Sequence, residues 1–103
     1  MDRQLRKGLL EFCVLATIKE RDSYGYKMIE DMSQYINISE STLYPILRRL
    51  EMAGKVTSYN TEYNNRIRKY FSITEEGKIC LKEFEKDKEE LLKILDFISG
   101  GSK

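Results

Sequence analysis

Three observations predict a mainly α-helical chain with one β-hairpin, ordered as three helices, two strands and a closing helix. Apolar residues recur at helical spacing in four separate stretches, and a single β-branched and aromatic run from Val56 to Ile73 is split by Asn64-Asn65. Hydroxyl residues or glycine stand at most of the joints between them. At 103 residues the chain makes one small domain with a modest core, marginal as a lone monomer.

The first helix is expected over Gln4–Lys19. Leu5, Leu9, Phe12, Cys13, Ala16 and Thr17 form one stripe, and Leu10, Val14, Leu15 and Ile18 a second. A helix apolar on two sides needs two neighbours, one of which could come from another chain. After the break Arg21-Asp22-Ser23, Ser23 is a natural N-cap for a second helix running through Met28, Ile29 and Met32 to about Tyr35. Ser39 or Ser41 starts a third, with Leu43, Ile46, Leu47 and Leu50 on one side and Gly54 closing it. Pro45 lacks a backbone donor and would cost about 3 kcal/mol in a helix interior. Its cost is smaller near the start, so the helix should begin within residues 39–42, with Pro45 read as a tolerated kink.

Val56–Ile73 reads as two antiparallel strands, the only sheet, because Asn tolerates the left-handed backbone of a tight hairpin turn. Thr74 then caps a long last helix, with Glu75 and Glu76 facing the positive end of its dipole. Leu81, Phe84, Leu91, Leu95 and Ile98 fall on a four-three spacing broken only at Lys88. Such a narrow seam on a charged helix suits a partner helix, with packing on its own domain as the alternative. Residues 100–103 read as a flexible tail.

Composition removes several function classes. With no His, the chain cannot build a histidine triad or a His-ligated zinc site. Cys13 and Cys80 form no CxxC pair and read as small apolar core residues, with thiol sensing as the competing role. Arg3, Arg6, Lys7 and Glu11 interrupt the first apolar stretch, so neither a signal region nor a membrane span is expected, and the chain is read as soluble and cytoplasmic. No nucleophile and base pair, phosphate loop or ligand cluster is visible, so an enzyme, a cofactor and a metal are not expected.

Net charge is only +1, yet its distribution is uneven. Residues 1–38 are balanced, residues 39–73 carry six basic against three acidic groups, and residues 74–103 are acidic by two. Three helices and a hairpin, with a short turn before the third helix, make the winged helix-turn-helix arrangement, in which the third helix enters a DNA major groove and the hairpin lies on the backbone. Opposite its apolar side the third helix presents Ser41, Pro45, Arg48 and Met52, flanked by Thr42, Tyr44 and Arg49. Hydroxyls and arginines contact phosphates and base edges well. Arg66, Arg68 and Lys69 add cations on the hairpin, where a solvated strand face is the plainer reading.

Over nearly its whole length the chain resembles the PadR family of bacterial transcriptional regulators. The likeness is carried by Leu9-Leu10-Glu11 with Val14-Leu15, by Ser23-Tyr24-Gly25-Tyr26, and by the block from Thr42-Leu43-Tyr44-Pro45 to Glu51. It continues in Gly54-Lys55-Val56 and in the run from Arg68-Lys69-Tyr70 to Gly77. The resemblance implies a winged helix-turn-helix over residues 1–73 and a dimerisation helix over residues 74–99, in a homodimeric repressor on an inverted-repeat operator. It implies a double-stranded DNA interface of Tyr24, Tyr26, Ser39, Ser41, Thr42, Tyr44, Pro45, Arg48, Arg49, Arg66, Arg68 and Lys69. Leu5, Leu9, Leu81, Phe84, Leu91, Leu95 and Ile98 would form the dimer contact. Some small members bind flat aromatic drugs at the dimer centre through a Trp that this chain lacks; Phe12, Phe84 and Phe97 are its candidates for such an effector, with core packing as the competing role. The Asn-Asn wing tip is tighter than in many relatives. A winged-helix protein-interaction module without DNA binding is the alternative function.

Overall fold

The computed structural model describes residues 3–101. Helix α1 (Arg3–Thr17) leads to a short strand β1 (Ser23–Tyr24), then α2 (Gly25–Met32) and α3 (Glu40–Met52). Strands β2 (Val56–Tyr63) and β3 (Arg66–Ile73) follow, then α4 (Glu75–Lys86) and α5 (Lys88–Ser99).

The core lies where the first three helices meet the base of the sheet. Leu10, Val14, Leu15 and Ile18, the second of the two α1 stripes, are buried against Met28 and Met32 of α2, Leu43, Ile46, Leu47 and Leu50 of α3, and Val56 and Phe71 of the strands. Each such side chain contributes about 1.5–3 kcal/mol on leaving water. Cys13 and Cys80 are partly buried and pack against this cluster.

Local signals set most boundaries. Gly54, at φ +76, stands just past α3, where the Lys55 N–H donates to the Leu50 carbonyl at 2.9 Å and the Gly54 N–H to Glu51 at 3.0 Å, a Schellman closure. Asn64 and Asn65 adopt φ of 50° and 64°, the paired left-handed residues of a two-residue hairpin turn, and pairing runs from Val56↔Ile73 to Tyr63↔Arg66. Thr74 caps α4, its Oγ1 accepting from the Gly77 N–H at 3.1 Å and donating to the Gly54 carbonyl at 2.6 Å.

Four expectations of the fold need correction. Ser23 does not cap α2: it is buried in β1, pairs with Phe71, and leaves the N-cap position to Tyr24. Cross-strand pairing of Ser23 and Tyr24 with β3 outweighs a local cap, so the sheet has three strands, in the order β1-β3-β2, rather than two. Helix α2 stops at Met32 instead of about Tyr35; the Tyr35 and Ile36 N–H groups both turn back to the Met32 carbonyl, and Tyr35 is 86% exposed and outside the core cluster.

The long last helix is in fact two, broken at Asp87. The break falls beside Lys88, the one position where the apolar seam lapses. Helix α5 buries none of its residues within the chain and ends on Gly100 in the left-handed region. The molecule is accordingly elongated, 59 × 26 × 21 Å. Of the expected tail, Ser102 and Lys103 lie outside the described residues.

Candidate nucleic-acid interface

Helix α3 divides cleanly into two sides. Leu43, Ile46, Leu47 and Leu50 face the core, while Ser41, Thr42, Tyr44, Pro45 and Arg48 are exposed. At its start the Ser39 hydroxyl makes no bond to a helix N–H; it pairs sideways with Ser41 Oγ at 2.8 Å and Thr42 Oγ1 at 3.3 Å. A chain of hydroxyls therefore lines the positive end of the helix dipole, a setting that favours anions. Pro45 lies inside the helix, and its missing N–H leaves the Ser41 carbonyl without its helical donor. Arg49 is turned away from this face, its Nη2 3.5 Å from Glu11 Oε2 of α1.

The wing side is built on aromatics. Tyr44 lies across the start of α2, where a Cβ on Gly25 would collide with its hydroxyl. Next to it, the Arg68 guanidinium stands 4.0 Å from the ring centroid of Tyr24 and 4.8 Å from that of Tyr63. The Tyr70 ring meets Tyr24 edge-on at 5.4 Å and stacks on Tyr59 at 5.8 Å. The Tyr59 hydroxyl closes the set by donating to Asp22 Oδ2 at 2.6 Å. Contact with Tyr70 pushes the Arg68 pKa further up, and the hydrogen bond to Asp22 raises that of Tyr59.

Between this clasp and α3 runs a groove of about 660 Å³, lined by Tyr26, Tyr44, Tyr63, Arg66, Arg68 and Lys69 among others. The three wing cations share it although the pleat separates them, Arg66 and Arg68 on one face of β3 and Lys69 on the other, where Lys69 reaches the Phe71 ring. Of the twelve interface residues expected from sequence, the groove gathers Tyr24, Tyr26, Tyr44, Arg66, Arg68 and Lys69. Ser41, Thr42, Pro45 and Arg49 line a separate groove on the far flank of α3, against α1. Asp22, Gly25, Tyr59, Tyr63 and Tyr70 were not expected in this site. The tyrosines at positions 59, 63 and 70 were readable as alternating strand residues, but nothing in the sequence ties Asp22 to Tyr59.

On the opposite side of α1, Phe12 and Phe84 stack at 4.2 Å with 22° between their planes. They line a cleft of about 710 Å³ between α1 and α4–α5, together with Leu9, Cys13, Leu81 and Leu92. Phe97 is not brought to them; it is 83% exposed on α5. Burial raises the pKa of the Cys13 thiol. Among the described residues no His, Cys, Asp and Glu side chains are grouped as a metal ion would require, and no helix is long and apolar enough to cross a membrane.

A three-helix head with an exposed third helix, flanked by a two-stranded wing clasped to the start of the second helix, defines a winged helix-turn-helix protein. The chain belongs to the PadR-like family of transcriptional regulators, whose model matches residues 14–83. It is similar to an uncharacterized protein of Lysinibacillus sphaericus, 34% identical over 100 residues and covering 92% of each chain. It is also similar to the structure of a PadR family transcriptional regulator of Eggerthella lenta, at 33% identity and a TM-score of 0.80 over 92% of this chain and 85% of that one. The structure of Bacillus subtilis PadR in complex with operator DNA shares the fold, with a TM-score of 0.67 at 22% identity over 73% of this chain and 45% of that one.

Proposed function

We propose that the chain is a homodimeric, sequence-specific DNA-binding repressor of neighbouring genes, relieved by a small-molecule effector. The observation that carries this reading is the outward face of α3, where Ser41, Thr42, Tyr44 and Arg48 stand free of the core and Tyr44 shares a groove with the wing cations Arg66 and Lys69. Arg48 supplies the forked donor that reads a guanine edge, the hydroxyls bond phosphates, and the wing cations displace counterions along the backbone. The operator complex of Bacillus subtilis PadR, which has the same fold, supports it.

Helix α5 supports the dimer. It exposes Leu91, Leu92, Ile94, Leu95 and Ile98 in the single chain, and Leu5 of α1 is exposed as well, so an apolar surface is left for a second copy. Two α3 helices would then meet half-sites about one helical turn, roughly 34 Å, apart on an inverted repeat. The Phe12–Phe84 stack is the seat we assign to a flat aromatic effector, without Phe97.

The test is an anisotropy titration with the DNA beside the chain's own gene. Salt-dependent, sequence-preferring binding is expected, with Arg48→Ala weakening it by about tenfold or more. Full affinity in Arg48→Ala overturns the reading, as does a stoichiometric protein partner with no affinity for DNA. Sedimentation of the wild type and of Leu95→Glu tests the dimer, the variant shifting to monomer.

A further inference from the structure

The flank of α3 away from the wing holds a second basic surface. Arg3, Arg6 and Lys7 of α1 face Ser41, Thr42 and Pro45 of α3 across a groove of about 340 Å³. Two cations there are committed to the scaffold. Arg6 Nη2 donates to the Asn37 carbonyl at 2.8 Å, tying the first turns of α1 to the loop before α3, and Arg49 pairs with Glu11 at 3.5 Å. Arg3 and Lys7 are exposed and have no carboxylate within ion-pair distance among the described residues.

Among the described residues the first turn of α1 holds no acidic side chain, and Arg3, Arg6 and Lys7 lie toward the end of the helix where the dipole concentrates positive charge. The walls of the groove are mostly apolar, with Leu10, Pro45 and Ile46 among them, so an anion would sit at its rim, where it relieves the mutual repulsion of the cations beside Ser41 and Thr42.

We infer that Arg3 and Lys7 hold a phosphodiester of the DNA backbone at the rim of this groove, a contact made from α1 and not from α3 or the wing. The inference rests on the DNA-binding reading above. The ligand chemistry is a phosphate: Arg3 offers a planar fork to two of its oxygens, Lys7 a point charge, and neither reads sequence. Each half-site is thereby gripped on both flanks of α3, by the wing on one side and by α1 on the other. Charges that belong to a neutral segment of the sequence become part of the reading head once α1 folds beside α3.

The experiment compares the salt dependence of operator binding in the wild type, in Arg3→Gln/Lys7→Gln, and in Lys82→Gln/Lys93→Gln, which removes equal charge from α4 and α5. The first variant should lower the slope of log K against log salt by about 0.9 for each phosphate it ceases to neutralise, with base preference unchanged and an unaltered circular dichroism spectrum. The second should leave the slope where it was. An unchanged slope in Arg3→Gln/Lys7→Gln overturns the inference while leaving the DNA-binding reading intact, as does an equal fall in the control. Absence of salt-dependent binding by the wild type overturns both. If inorganic phosphate raises the melting temperature of the wild type but not of Arg3→Gln/Lys7→Gln, and the DNA slopes agree, the groove is a free-phosphate site and the DNA assignment is wrong.

Discussion

The guanidinium of Arg68 lies 4.0 Å above the ring of Tyr24, so a cation on the wing is the clasp between that wing and the start of α2. Its planar face also meets Tyr63 at 4.8 Å, which a lysine ammonium would not reproduce. Arg68→Lys, though it keeps the charge, should release the wing: amide exchange across residues 60–69 accelerates and operator affinity falls by about tenfold. Lys69→Ala should lower affinity and salt slope without changing exchange. Equal exchange rates in wild type and Arg68→Lys would show that the stack does not hold the wing.

The hydrogen bond from Tyr59 to Asp22 has a pH signature. Asp22 holds the Tyr59 pKa above its ordinary 10.0, because the donated proton is bound more tightly in the folded state. A pKa raised by folding means stability that is complete below the unfolded value and is lost as pH climbs through the folded one. In urea titrations, the stability gap between wild type and Tyr59→Phe should stay constant to about pH 10 and close above it. A gap independent of pH through that range would count against the bond.

Two glycines should behave oppositely. A Cβ at Gly77 would strike the Lys55 backbone carbonyl, which the Thr74 N–H holds at 3.1 Å, and the Ile73 side chain, so Gly77→Ala should cost about 1–3 kcal/mol in chemical denaturation. A Cβ at Gly25 would collide with the far end of the Tyr44 side chain, which can swing aside, and meet Leu43 Cδ2 at an ordinary contact distance of 3.6 Å. Gly25→Ala should therefore change stability by less than about 1 kcal/mol while weakening operator binding several-fold by displacing Tyr44. Normal DNA affinity in Gly25→Ala would separate Tyr44 from recognition.

Cys13 should be a poor thiol sensor. Partial burial beside Phe12 and Leu81 raises its pKa, so the reactive thiolate is scarce at neutral pH. Alkylation of Cys13 by iodoacetamide should be slower than that of a free cysteine and should accelerate in denaturant, and mild peroxide should leave operator affinity unchanged. Loss of affinity that reverses on reduction and disappears in Cys13→Ser would assign it a redox role.

Much of the fold is legible in local pattern. The stripe of Leu10, Val14, Leu15 and Ile18, the Asn64-Asn65 turn, the Thr74 cap and the Gly54 closure are each specified within a few residues, because helical period, left-handed backbone and capping are short-range effects. The exposed side of α3 follows in the same way from its buried one. What no local rule supplies is the meeting of segments far apart in the chain. Ser23 gives up a cap because β3 offers it a strand partner, and the closing helix breaks at Asp87 where its seam finds no support. Arg68 is drawn from solvent onto Tyr24, and Arg3 and Lys7 come to rest beside Ser41 and Thr42. Those outcomes depend on which surfaces pack against one another, and long-range packing energy overrides the weaker preferences of each segment alone.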